Sequence, residues 1–113
     1  MIVPKRVDLI IFKGMPWDAS FTWELLGSPA PLAGHTGSMR LVSADSSATL
    51  YVPATTANGK VTLTHPGGIA INLLAADTNV LPLGLYEWSY VDVDGALVPN
   101  PVMRGRAQVE LVA

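Results

Sequence analysis

The chain has 113 residues, no cysteine, 50% hydrophobic and 14% charged residues, and a formal charge of -2. That length implies one domain able to bury about two-thirds of its unfolded surface, and the lack of cysteine excludes a disulfide framework, a thiolate nucleophile and a cysteine zinc site. Seven Lys and Arg against nine Asp and Glu lack the basic footprint of a nucleic-acid binder, and a charged fraction well under the usual figure of about 25% predicts that other protein covers part of the exterior.

Lys5 and Arg6 precede the apolar run Leu9 to Phe12, which is bounded by Asp8 and Lys13 and is shorter than the roughly 7 to 15 residues of a signal-peptide core. No stretch reaches the roughly 18 uncharged apolar residues of a membrane span. The expectation is a soluble chain made without a cleaved leader, with no membrane partner. Val7, Leu9 and Ile11 alternate with Asp8, Ile10 and Phe12, a period-two pattern that ends at Gly14 and predicts the first strand. Met15-Pro16-Trp17-Asp18 reads as a turn with exposed apolar side chains, and Phe21, Trp23 and Leu25 form a second alternating run. Pro29 to Gly37 is loop material, after which Met39, Leu41 and Ser43 alternate with Arg40 and Val42. Thr49 to Val52 predicts a short strand closed by Pro53.

Asn58-Gly59 is a strong hairpin signal, because both residues tolerate the positive φ of a type I′ turn. It opens the strand Lys60 to His65, broken by Pro66-Gly67-Gly68 before Ile69, Ile71 and Leu73 begin another. Ala75 to Val80 predicts the one helical turn, with Asp77 and Thr78 taking backbone donors by capping. Leu85 to Val93 is a strand with Tyr86, Trp88 and Tyr90 on one face, and Asp94-Gly95 turns the chain back. It passes Pro99 and Pro101, residues suited to an edge or bulge, into a strand from Val102 to Val112. Seven to nine short strands separated by turns about every 8 to 12 residues predict an all-β, antiparallel sandwich or barrel.

Little in this pattern points to catalysis. His35 and His65 stand 30 residues apart with no second His or Cys close by, so ordinary polar roles outweigh metal ligation. Asp92-Val93-Asp94-Gly95 lacks the later oxygen ligands of a calcium loop and is better explained as a turn. No G-x-S-x-G elbow occurs, and a domain this small lacks the loops that build a glycosidase cleft. No enzyme activity, metal or cofactor is expected. Tyr86, Trp88, Tyr90, Phe21 and Trp23 would make a sugar-stacking platform if exposed, but strict alternation on two strands favours a core role. Trp17 differs, because in a turn beside Met15 and Pro16 it is as suited to a contact surface as to capping the sandwich. Arg40, Arg104 and Arg106 are placed to form an ionic rim with Glu24, Glu87 and Glu110, or simply to solvate a face.

Four stretches in order carry a family likeness. They are Asp8-Leu9-Ile10-Ile11-Phe12-Lys13-Gly14 with Phe21-Thr22-Trp23; Pro31-Leu32-Ala33-Gly34-His35-Thr36 leading to Met39-Arg40-Leu41; Asn58-Gly59-Lys60-Val61-Thr62-Leu63; and Ala75-Ala76-Asp77-Thr78 through Leu83-Gly84-Leu85-Tyr86-Glu87-Trp88 to Asp94-Gly95 and Arg104-Gly105. Together they resemble the immunoglobulin-like domain at the start of baseplate upper proteins of tailed bacteriophages and of related tail or head accessory proteins. Pro31 stands where the family usually has Asp, and His35 where it usually has an aromatic. The resemblance implies an immunoglobulin-like β-sandwich over residues 1–113, with 1–6 as a docking arm. It implies a docking unit of the virion, more at home in the tail or baseplate than on the head as a capsid-decorating subunit. Tyr86, nine residues after Asp77, is similar to the tyrosine corner of such sandwiches. The expected partners are other phage structural proteins and copies of the chain itself, and the expected contact residues are Ile2, Val3, Met15, Trp17, Pro99 and Pro101. A carbohydrate-binding module is the rival reading.

Overall fold

The computed structural model describes residues 5–25, 27–45, 47–94 and 99–111. Where side chains alternate between apolar and polar, one face of a pleated strand is dry and the other wet, and such strands pair into sheets that close over each other. The elements in order are β1 (Lys5–Arg6), β2 (Leu9–Phe12), β3 (Trp17–Thr22), β4 (Glu24–Leu25), β5 (Ser28–Pro29), β6 (Thr36–Ser43), β7 (Leu50–Thr55), β8 (Val61–Thr64), β9 (Gly68–Leu73), α1 (Ala75–Asn79), β10 (Gly84–Val93) and β11 (Pro99–Glu110). Six strands form the larger sheet, in the order β1-β11-β10-β6-β7 with β2 also on β11, and β3-β9-β8 form the smaller. Two facing sheets in this order make an immunoglobulin-like β-sandwich. β4 and β5 pair as a separate two-stranded ribbon.

The core is the seam between the sheets. β10 contributes Tyr86, Trp88 and Tyr90, all essentially inaccessible, so the three aromatics expected on one face fill the interior. Met39 and Leu41 of β6 and Ala107 and Val109 of β11 flank them, and Ile69, Ile71 and Leu73 of β9 pack from the opposite sheet. The Phe21 and Trp88 rings lie 6.3 Å apart, and Tyr51 meets Tyr86 edge-on at 5.9 Å. Such pairs add about 0.5–1.5 kcal/mol each beyond area burial. The Tyr86 hydroxyl donates to the Pro82 carbonyl, which makes the tyrosine corner that the spacing from Asp77 suggested.

α1 occupies the predicted helical turn. The Leu74 N–H donates to Asp77 Oδ2 at 2.8 Å, as capping requires. Thr78 acts differently from expectation: its hydroxyl donates, to the Met15 and Ala75 carbonyls, and so ties the turn after β2 to the helix.

Several boundaries move. The second alternating run begins at Trp17, because Trp17, Ala19 and Phe21 face inward against Asp18, Ser20 and Thr22; small Ala19 hides the pattern. Trp23 ends it by exchanging bonds elsewhere, its N–H to the Gly67 carbonyl and its carbonyl to the Ala30 N–H. β7 runs through Pro53 to Thr55, because the proline falls where the β6–β7 register shifts and no ladder donor is needed. Asn58-Gly59 does not join a hairpin: β7 pairs with β6 and β8 with β9, so this turn passes the chain from one sheet to the other. Asn58 Oδ1 accepts from the N–H groups of Thr55 and Lys60, replacing partners that a hairpin ladder would have supplied. Pro99 and Pro101 belong to β11, with a bulge opposite Tyr90 and Val91, as their type suggested.

The sheet is not wholly antiparallel. β1 and β2 run parallel to β11, with Lys5 opposite Met103 and Leu9 opposite Ala107. Parallel neighbours need a long connection, and the rest of the domain supplies it. The Lys5–Arg6 end of the expected docking arm is therefore a strand of the sheet, while residues 1–4 lie outside the described residues.

Candidate assembly surface

The break between β1 and β2 has a specific cause. A Cβ at Gly105 would overlap the Val7 carbonyl oxygen, so glycine alone lets that carbonyl tip inward. There it accepts from the indole Nε1–H of Trp88, the residue opposite Gly105 on β10. Asp8 fills the place left in the ladder, its Oδ1 accepting from the Arg106 N–H at 3.0 Å. On either side the ladder is regular: the Val7 N–H donates to Arg104 O, and the Lys13 N–H to Glu110 O. A step of six residues on both strands means that odd-numbered residues of β2 bond inward to β11, leaving the N–H groups of Ile10 and Phe12 and the Ile10 carbonyl on the open edge.

The side chains of β2 divide the same way. Leu9 and Ile11 are buried, while Ile10 and Phe12 keep 56% and 43% of their surface in water. Ile10 lies opposite Gln108 of β11, which lies opposite Leu85 of β10, itself 43% exposed. Apolar Ile10, Phe12 and Leu85 thus rim one end of the outer sheet face. Toward the other end, Arg6 lies opposite Arg104, then Ser89, then Arg40, with Arg106 in the adjoining row opposite Glu87. All the arginines of the chain share this outer face. Among the described residues, no ion pair joins them to Glu24, Glu87 or Glu110; the one contact is Arg6 with Asp8 at 3.6 Å, between exposed groups. Of the two roles open to these charges in the sequence, the described residues show the solvated face.

The expected contact residues do not form one surface. Met15 is 48% exposed in the turn after β2. Trp17 is not in a turn: it opens β3, and it is half-buried against the core because its position faces the seam. Pro99 and Pro101 are exposed at the far end of β11, eleven and nine residues from the Glu110 that pairs with Phe12, or about 30 to 36 Å along a strand. Ile2 and Val3 lie outside the described residues. Ile10, Phe12 and Leu85 were missed, although the opening strand is apolar in both registers from residue 9 to 12, and that was their signal.

Two polar clusters mark the ends of the sandwich. At one, Asp92, wholly buried, holds His35 Nδ1 at 2.7 Å and so pins the loop before β6. Burial raises the Asp92 carboxyl above its ordinary range against the lowering effect of His35, and burial likewise raises the Tyr90 phenol, with Asp92 adding to it. Tyr90 Oη and Asp92 Oδ1 have no hydrogen-bond partner among the described residues. Asp92 faces inward, not toward a calcium-type loop. At the other end, a cleft of about 440 Å³ between Ser43, Asp45 and Ser47 on one side and residues 82–85 on the other is lined by Tyr51, Tyr86 and Leu83. Its carboxylate, Asp45, is held below the ordinary range by the hydroxyls of Ser47 and Ser43, so its own turn uses it. Among the described residues, no group of three His, Cys, Asp or Glu is placed to hold a metal, and no helix is long and apolar enough to cross a membrane.

No family model and no curated protein matches the chain. Among solved structures it is similar to murine CRIg, at 9% identity and a TM-score of 0.39, over 94% of this chain and 92% of that one.

Proposed function

We propose that this chain is a non-enzymatic structural subunit of a tailed-phage virion, an adaptor of the tail or baseplate that acts by binding other structural proteins and copies of itself. The ordered likeness of its four stretches to baseplate-type domains supports the setting. The observation that carries the assembly role is the apolar rim of Ile10, Phe12 and Leu85, kept in water on a sheet whose inner face is already filled. Large apolar groups beside open backbone donors fit a protein contact better than a solvated surface. The aromatic platform of the carbohydrate reading is spent on the core, where Trp23 and Trp88 are buried.

Antibody labelling of purified virions of a phage encoding this chain tests the reading. Label at the tail tip or baseplate is the expected result. Label over the head transfers the chain to capsid decoration, and virions without the chain overturn the proposal.

A further inference from the structure

The two edges of the larger sheet are treated differently. β7 carries Pro53 and a register shift, both of which stop another strand from adding. β2 reads Leu9-Ile10-Ile11-Phe12, with neither proline nor charge. The charges that bracket it are bonded within the chain: Asp8, itself exposed, accepts from the Arg106 N–H, and Lys13 Nζ bonds the carbonyls of Asn79 and Leu81 at 2.6 and 2.8 Å.

We infer that β2 is a homodimer edge, where a second copy of this chain adds its own β2 antiparallel across a two-fold axis at Ile10. The inference deepens the assembly reading above and rests on it only in taking the chain to work through protein contacts. The side-chain parity selects this partner and register. In a two-fold pair centred on Ile10, the Ile10 residues of the two copies exchange both N–H···O=C bonds, using groups that face outward in each. Even-numbered residues of both copies then share the outer face, so the exposed Ile10 side chains become direct neighbours and each Phe12 reaches the other copy's Ile10 diagonally. A centre one residue away on Ile11 requires the Phe12 carbonyl, which already accepts from the Met15 N–H. The exposed charges nearest the centre are Asp8, two residues away and beside Arg6 of its own chain, and Arg6, four residues away; the two copies' Asp8 then lie about 13 Å apart and their Arg6 about 26 Å apart along the strands, both beyond the screening length of about 8 Å. Closure on a two-fold leaves only the blocked β7 edges outward, so assembly through this sheet stops at two copies.

A contact of four residues per chain is smaller than a standard interface of about 800 Å² per partner, so the dimer forms at high local concentration. Sedimentation of the full chain from micromolar to millimolar concentration is expected to show the mass rising from 12.0 kDa toward twice that value. Ile10→Lys lowers the association constant at least tenfold, whereas Leu50→Lys on the opposite edge leaves it unchanged. Because the chain has no cysteine, Ile10→Cys supplies one thiol at the axis. Paired Cα atoms about 5.5 Å apart suit a disulfide there, so it cross-links on oxidation, while Phe12→Cys, opposite Asp8, does not. A mass fixed at 12.0 kDa, an Ile10→Lys protein that dimerises normally, or equal cross-linking at positions 10 and 12 overturns the inference. A monomer found in virions removes this inference alone, and an Ile10-centred dimer absent from virions removes the phage reading alone.

Discussion

The β2 edge and the β7 edge close the same sheet by opposite means. β7 is antiparallel to its neighbour, interrupted by Pro53 and followed by a turn whose Asn58 satisfies the backbone locally. β1 and β2 are parallel to theirs and fastened by side chains at a single break, where Gly105, Trp88 and Asp8 re-route the ladder. Both edges expose apolar side chains, Leu50 and Val52 on β7 and Ile10 and Phe12 on β2; what differs is the backbone, which on β7 is interrupted by Pro53 and a register shift and on β2 is not. Edge protection is thus a local choice of residues.

The largest effect is expected where that fastening is tightest. Gly105→Ala forces the Val7 carbonyl away from Trp88 and costs about 1–3 kcal/mol. Denaturant unfolding measures the loss, and faster amide exchange along β1 and β2 than along β7 identifies the edge involved. A variant of unchanged stability would remove the glycine from this account. Asp8→Ala leaves the Arg106 N–H without its acceptor and is expected to cost about 1 kcal/mol; Asp8→Asn, which keeps an acceptor oxygen, recovers most of it. If both variants unfold alike, the carboxylate does not serve as a ladder substitute.

The contrast can also be abolished from the other side. Pro53→Val adds a strand-forming residue with an N–H to β7 and changes stability by no more than about 0.4–1 kcal/mol. Its expected consequence is concentration-dependent association beyond two copies, read by sedimentation; a variant no more associated than the wild type would show that proline is not what guards this edge. The smallest effect concerns Lys60, just past the β7–β8 turn, and its ion pair with Asp77. Lys60 holds the Asp77 carboxyl below its ordinary range. A carboxylate with a lowered folded-state pKa stabilises above its unfolded value, and that contribution is lost as pH falls through the lowered one. Asp77→Asn is therefore expected to lower stability by about 0.2–1 kcal/mol at neutral pH, with its Tm curve meeting the wild type's in acid. Parallel curves over the whole range would sink the assignment.

Much of the fold was legible because burial repeats with period two. β6, β9 and β10 and the three inward aromatics of β10 follow from alternation, and the corner at Tyr86 from its distance to Asp77. The start of β3 was not legible, since Ala19 is too small to mark an inward position and Trp17 beside Met15-Pro16 looks like turn material. Asn58-Gly59 announces a tight turn in either case, yet which strands flank it as partners depends on contacts far along the chain. Of the contact residues, Met15, Pro99 and Pro101 are exposed as expected, but their ends of the molecule lie apart. Ile10 and Phe12 were passed over because apolar residues in a strand read as core until the face they occupy is known.

By itself, the order of residues determined that this chain is a small all-β sandwich or barrel with one helical turn and a core of alternating apolar side chains. Periodicity and turn chemistry act over a few residues and do not depend on what lies across the sheet. Only the tertiary structure decided that the opening strand runs parallel to the closing one, that Gly105 and Trp88 meet the carbonyl of Val7, and that Ile10 and Phe12 face water. Those outcomes join residues about a hundred positions apart, and pairing at that separation is set by how the two sheets close on each other, not by any local preference.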